Sequence, residues 1–179
     1  MTIKRDAKPG LLFLLAAAWF LASAGLAQAQ TKATMRYTEV HYPTEEHVYP
    51  VGNPADGHLY GVWVRKGLTI FANGEVAAYS ALGDLDITKG KGTISGYDTT
   101  KFADGSTWST KFKGQFSVGP KGLWVIPHRG HFTKGTGRFE GIEGTLRYTS
   151  KQIDKSPEFK GLAETKGVAT YTLPAKSTK

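Results

Sequence analysis

Residues 108–118 read Trp-Ser-Thr-Lys-Phe-Lys-Gly-Gln-Phe-Ser-Val. Trp108, Thr110, Phe112, Gly114, Phe116 and Val118 share one parity, and Ser109, Lys111, Lys113, Gln115 and Ser117 share the other. Successive side chains on a strand point to opposite faces, so this alternation predicts a strand with one face buried and one in water. A one-residue slip of register would bury two lysines, which fixes the reading. Trp108, Phe112, Phe116 and Val118 are therefore expected inside, and Lys111, Lys113 and Gln115 outside.

The same pattern extends in both directions. Trp124, Ile126, His128, Gly130 and Phe132 alternate with more polar neighbours, and Leu85 and Ile87 are set against Asp84 and Asp86. No window of a dozen residues beyond the N-terminus carries an uninterrupted helical stripe. Asn73-Gly74 and Asp104-Gly105 are strong hairpin dipeptides, and Gly90-Lys91-Gly92, Gly119-Pro120-Lys121-Gly122 and Ser156-Pro157 mark further turns. These signals divide the chain into eight strands at about 34–42, 59–72, 76–89, 93–103, 107–118, 123–133, 145–155 and 163–173. Long consecutive antiparallel strands joined by tight turns favour a closed up-and-down barrel, which removes exposed sheet edges. The expectation is a single all-β domain, an antiparallel barrel of about eight strands. Pro43, Pro50, Pro54, Gly52 and Gly57 set residues 43–58 apart as an irregular loop over one end.

The whole chain has 179 residues, no cysteine and a net charge of +8. Without cysteine there is no disulfide scaffold, thiolate metal site or thiol nucleophile. Lys4, Arg5 and Lys8 precede an apolar stretch from Leu11 to Leu26, and Ala27-Gln28-Ala29 has the form of a signal-peptidase site. Residues 1–29 read as a cleaved export signal, and 30–179 as the barrel domain of a periplasmic or secreted protein. Cleavage removes three basic residues and Asp6, leaving 150 residues at +6. The remaining lysines are scattered rather than gathered on one element, so no nucleic-acid partner is expected, and no stable membrane insertion once the signal is gone. An oligomer remains open.

The segment Gly135-Thr136-Gly137-Arg138-Phe139-Glu140-Gly141-Ile142-Glu143-Gly144 lacks the Gly-Lys-Ser/Thr of a phosphate loop and any βαβ context. Its glycines allow a turn with positive φ while Phe139 plugs a barrel end. The string, running on through Thr145, Leu146, Arg147 and Tyr148, resembles the glycine-rich connection before the penultimate strand of allene oxide cyclases and dirigent proteins. It matches at Gly135, Gly137, Arg138, Phe139, Gly141 and Gly144, and Ile142 stands where those families carry a small residue. The resemblance implies an eight-stranded antiparallel barrel with a hydrophobic cavity. No catalytic residue of either family is carried over.

His128 shares the parity of Trp124, Ile126 and Phe132 and is expected inside, whereas His131 is expected in water. Three residues apart on a strand, the two cannot chelate one ion without a bulge, so no metal and no cofactor is expected. Asp84 and Asp86 lie on the outer face, and no Gly-x-Ser-x-Gly elbow is present. His128 is then the one interior acid–base group that parity supplies. The candidate ligand site comprises Trp108, Thr110, Phe112, Trp124, His128 and Tyr148, with Ser150 as a further polar contact. Three functions fit: binding of a small hydrophobic molecule in the barrel, a cofactor-free isomerase or cyclase of the allene oxide cyclase type, or a packed barrel without ligand. The export reading is checked by N-terminal sequencing of the protein from its own cells: a start at Gln30 is expected, and a start at Met1 contradicts it.

Overall fold

The computed structural model describes residues 30–119 and 121–175. The expected signal peptide, Pro120 and the last four residues lie outside the described residues. Eight strands follow one another: β1 Thr31–Pro50, β2 His58–Phe71, β3 Val76–Thr88, β4 Lys91–Lys101, β5 Thr107–Val118, β6 Trp124–Thr136, β7 Glu143–Gln152 and β8 Ala163–Leu173. Each pairs antiparallel with the next, and β1 pairs with β8 from Thr31 opposite Leu173 to His41 opposite Ala163, closing the barrel. The sequence-based bounds of β2 to β8 agree within three residues.

β1 is the exception. Residues 43–50, expected as loop, continue the strand and pair with β2 as far as Pro50 opposite Leu59. A register shift between Pro43 and Glu45 accommodates the first proline. Beyond His41 this stretch has left β8 and is bonded on one side only, so a proline without N–H costs no ladder bond there. Only 51–57 is a true connection, a turn built on the short 3₁₀ helix Pro54–Asp56.

The alternation of β5 holds: Trp108, Thr110, Phe112 and Gly114 are buried, and Lys111, Lys113 and Gln115 are exposed. Val118 departs from it at 45% exposure. It is the last residue of β5, beyond the rim, where inward parity no longer faces a filled lumen. On the other wall of the lumen a shift opposite Ser109 and Thr110 leaves Thr133 as an extra residue in β6.

The two ends differ. The connections 72–75, 102–106 and 137–142 converge on a block of aromatic rings. Trp108 packs edge-on against Phe71, Phe102, Phe132 and Phe139 at centroid distances of 4.9–5.4 Å. Phe139 is buried at the end of the glycine-rich segment, as expected. The glycines there act in two ways. Gly137 has φ +60°, a left-handed conformation, but Gly135 has no positive φ. It is needed because a Cβ would lie 1.9 Å from the Phe139 carbonyl oxygen. Arg138 spans this end, paired with Glu75 and Asp104 and lying over Phe102 and Phe139. The opposite end, formed by 51–57, 89–90, 119–123 and 153–162, is called the mouth below.

Trp108→Ala removes the centre of the aromatic plug and should lower stability by about 3–5 kcal/mol, whereas Val118→Ser at the rim should change it by no more than about 0.5 kcal/mol. Urea denaturation followed by circular dichroism measures both.

Candidate functional site

Between the plug and the mouth the lumen is polar. Inward parity on β1 brings Tyr37, Glu39 and His41 inside, and inward parity on β4 brings Ile94, Asp98 and Thr100. β2 contributes Trp63 and Thr69, β3 Tyr79, β5 Thr110 and Phe112, β6 Ile126 and His128, β7 Tyr148 and Ser150, and β8 Thr165. Thr110 and His128 were legible by alternation, and Tyr148 and Ser150 were expected as polar contacts. Glu39, His41 and Asp98 were not, so the expectation that His128 is the one interior acid–base group is overturned. The signal existed: Glu39 lies between Tyr37 and His41 at the same parity, and Asp98 between Gly96 and Thr100.

Neither carboxyl group has a basic partner among the described residues. Thr110 donates to Asp98 at 2.7 Å and Thr69 to Glu39 at 3.3 Å. Burial raises the Asp98 pKa to about 7, opposed by the Thr110 hydrogen bond. Burial, reinforced by the negative charge of Asp98, pushes Glu39 well above the usual carboxylate range. Burial and the neighbouring acids likewise hold Tyr37, Tyr79 and Tyr148 as neutral phenols. At mildly acidic pH the lumen therefore presents uncharged O–H donors rather than charges.

The mouth side holds the two histidines and one arginine. Arg65 Nε donates to His41 Nδ1 at 2.8 Å, which fixes the proton of the neutral imidazole on Nε2. From there His41 donates to Thr165 Oγ1 at 3.0 Å, and Thr165 and Ser150 share a 2.6 Å hydrogen bond. Arg65 also donates to the Gly161 carbonyl and lies 5.4 Å from the Trp124 ring centroid. It ties the 153–162 segment and Trp124 across the opening. Burial lowers the His41 pKa to about 3, helped by Arg65 and His128, and burial alone lowers His128 to about 3. His128 stacks on Tyr148 at 4.4 Å, with Phe112 edge-on to it.

A cavity of about 30 Å³ lies among these groups, lined by His41, Trp63, Arg65, Phe112, His128 and Tyr148 and also by Trp124 and Ser150. That is room for a water-sized group and little more. Two buried polar atoms on residues that line it, Trp63 Nε1 and His128 Nδ1, have no hydrogen-bond partner among the described residues. Of the expected site residues, Phe112, Trp124, His128 and Tyr148 meet at this cavity. Thr110 lies deeper, on Asp98, and Trp108 sits in the plug. Phe132, four residues along β6 from His128 and so about 13 Å away, belongs to the plug as well. His131 is exposed, as expected.

The shifted groups give stability opposite dependences on pH. An unfolded histidine takes its proton below about pH 6.5, whereas folded His41 and His128 refuse it until about pH 3, so they withdraw stability as pH falls through that window. An unfolded carboxyl loses its proton near pH 4, whereas folded Asp98 keeps it to about pH 7 and burial holds the Glu39 carboxyl well above the usual range, so the acids withdraw stability as pH rises above about 4. Between about pH 4 and 6.5 the two pairs offset one another, and above that range the acids act alone. Asp98→Asn, which can still accept from Thr110, should gain stability relative to the parent at pH 8 more than at pH 5. Urea denaturation at the two pH values measures it; equal differences would contradict the assignment of Asp98.

No protein-family model matches the chain, and no curated protein matches it in sequence. Solved structures do match in fold. The pterocarpan synthase dirigent protein GePTS1 aligns at 15% identity over 98% of this chain and 100% of that chain, with a TM-score of 0.50. A second pterocarpan synthase dirigent protein, PsPTS1, aligns at 15% identity over 84% of this chain and 98% of that one, with a TM-score of 0.45. The closed eight-stranded barrel of this chain is thus the dirigent-like barrel fold that its glycine-rich segment resembles.

Proposed function

We propose that the polar, mouth-side half of the barrel binds a small, uncharged and largely apolar molecule carrying an oxygen function. The observation that carries this reading is the pair of orphaned buried polar atoms, Trp63 Nε1 and His128 Nδ1, on two residues that line the same cavity. Each unsatisfied buried group costs about 1–3 kcal/mol. A barrel selected for packing alone would fill that space with carbon, as the plug end does. Trp63, Phe112, Trp124 and Tyr148 supply flat apolar walls, and the indole N–H, the histidine nitrogens and Ser150 supply oriented polar contacts. A charged ligand does not suit a lumen that keeps its own acids protonated and its histidines neutral. The cavity is smaller than such a ligand, so binding requires Arg65 to release Gly161 and Trp124 to swing outward.

Catalysis is the second reading, favoured by Asp98 and Glu39. Both lie deeper than the cavity, and an oxygen that reached them could receive a proton from a carboxyl group, which then takes one back, without any cofactor, as a cofactor-free isomerase or cyclase requires. The fold likeness to a pterocarpan synthase is consistent with it, although at 15% identity it extends to the fold alone. Export to the periplasm or beyond belongs to the same proposal and rests on residues 1–29.

Native mass spectrometry of the protein purified from its own cells tests the binding reading. A co-purifying small molecule is expected, and its occupancy should fall about tenfold in Trp63→Phe, which deletes only the indole N–H, with stability unchanged or higher. His128→Ala should lose the molecule as well. Retention by both variants, with His128→Ala merely less stable, would overturn the reading and leave a packed core.

A further inference from the structure

The mouth end carries a surface that the interior site does not explain. Among the described residues, four large apolar side chains are exposed on its connections or at the adjoining strand ends: Val51, Val118, Ile153 and Phe159. They come from three connections, which the 89–90 turn and Lys155 link in series. Lys89 N donates to the Gly57 carbonyl, and Val118 N to the Gly90 carbonyl. The Lys155 side chain crosses to Gly122, so close that a Cβ there would collide with its ammonium. The plugged end is built differently. Its connections turn their apolar residues Phe102, Phe139 and Ile142 inward, and the exposed large apolar residues beside them, Val76 and its β2 partner Ile70, lie on strands.

Charge follows the same division. In the mouth connections, with one strand residue on either side, Lys89, Lys91, Lys121, Lys155 and Lys160 face Asp56, Asp154 and Glu158, a balance of +2. Counted the same way, the three connections of the plugged end have Lys101 and Arg138 against Glu75, Asp104, Glu140 and Glu143, a balance of −2. All five mouth lysines are exposed, and among the described residues none has a side-chain ion pair. The acids are partly occupied: Asp154 caps its own turn, accepting from the Lys155 and Ser156 backbone amides and the Ser156 hydroxyl.

We propose that the mouth end docks on an anionic lipid surface, with Val51, Val118, Ile153 and Phe159 sunk into the headgroup boundary and the lysines among the phosphates. Val118, Ile153 and Phe159 each lie within three residues of a mouth lysine, and the apolar tips are spread over three connections. They can each enter a fluid interface by a few ångströms, where burial of apolar tips and attraction of cations add. The plugged end is then turned toward water. Docking in this orientation sets the Arg65–Trp124 opening against the lipid, but the surface stands whether or not the lumen takes a ligand.

The test is sedimentation with vesicles, using the chain from Gln30, which contains the whole closed barrel and lacks the apolar N-terminal run. Vesicles of phosphatidylcholine with one third phosphatidylglycerol should bind it. Pure phosphatidylcholine should bind it much less, and added salt should release it. Lys121→Gln and Lys155→Gln should each weaken binding about fivefold, and the double variant Ile153→Ser/Phe159→Ser at least tenfold. Val76→Ser, at the other end, should bind as the parent does. These positions are exposed, and unchanged circular dichroism verifies that the variants fold. A parent chain that ignores anionic vesicles, or a double variant that binds them as well as the parent, overturns the proposal. So does a parent that ignores vesicles and self-associates through Ile153 and Phe159, which would make the rim an interface between copies.

Discussion

Everything in this molecule follows from the pairing of β1 with β8. Once Thr31–His41 bonds to Ala163–Leu173, the sheet has no free edge over that length and encloses a lumen of fixed width. Inward positions on all eight strands must then be occupied by groups that fill it, and outward positions by groups that tolerate water. The aromatic plug and the polar mouth half are two solutions to the same filling problem at the two ends of one tube. Where the pairing ends, at His41, the consequences are visible at once: β1 runs on as a one-sided strand, prolines become tolerable, and the 153–162 segment crosses to Arg65.

How much of this could be read in advance depended on whether sequence alternation survives in each strand. Trp108 to Gln115 alternates by chemistry, and its inner and outer faces came out as expected. In β1 and β4 the inward positions mix Tyr37 with Glu39 and His41, and Ile94 with Asp98. A hydrophobic alternation is invisible there, although the strands themselves are bounded by turn signals. Proline argued against strand at 43–50, and it did so correctly for a two-sided strand; what cannot be seen in the sequence is that β8 stops at His41. Val118 shows the same limit at the other end of a strand, since parity says which way a side chain points but not whether the lumen is still there. The candidate site was accordingly half legible. The residues placed by apolar neighbours, Phe112, Trp124, His128 and Tyr148, do converge on the cavity. The acids were missed because charged residues were assigned to water by default.

Those acids cost the fold stability that a hydrophobic lumen would not. Two carboxyls without cationic partners, two histidines held neutral and two orphaned nitrogens occupy one half of a barrel whose other half is packed with rings. Their energetic weight is greatest when they ionise, so the lumen is best tolerated while Asp98 and Glu39 keep their protons. Perturbed groups gathered in one interior region are the observation on which the proposed site rests. The Arg65 bridge to His41, Gly161 and Trp124 places a cation at the opening, where it braces the mouth instead of neutralising the acids.

The protonation state of Asp98 is the point on which this picture turns, and carbon-13 NMR of the labelled side-chain carboxyl reads it directly. The expected result is a resonance that stays at its protonated position through pH 6 and titrates near pH 7. Titration near pH 4, the ordinary value for an aspartate in water, would show a solvated or paired carboxylate and contradict a dry lumen of neutral donors.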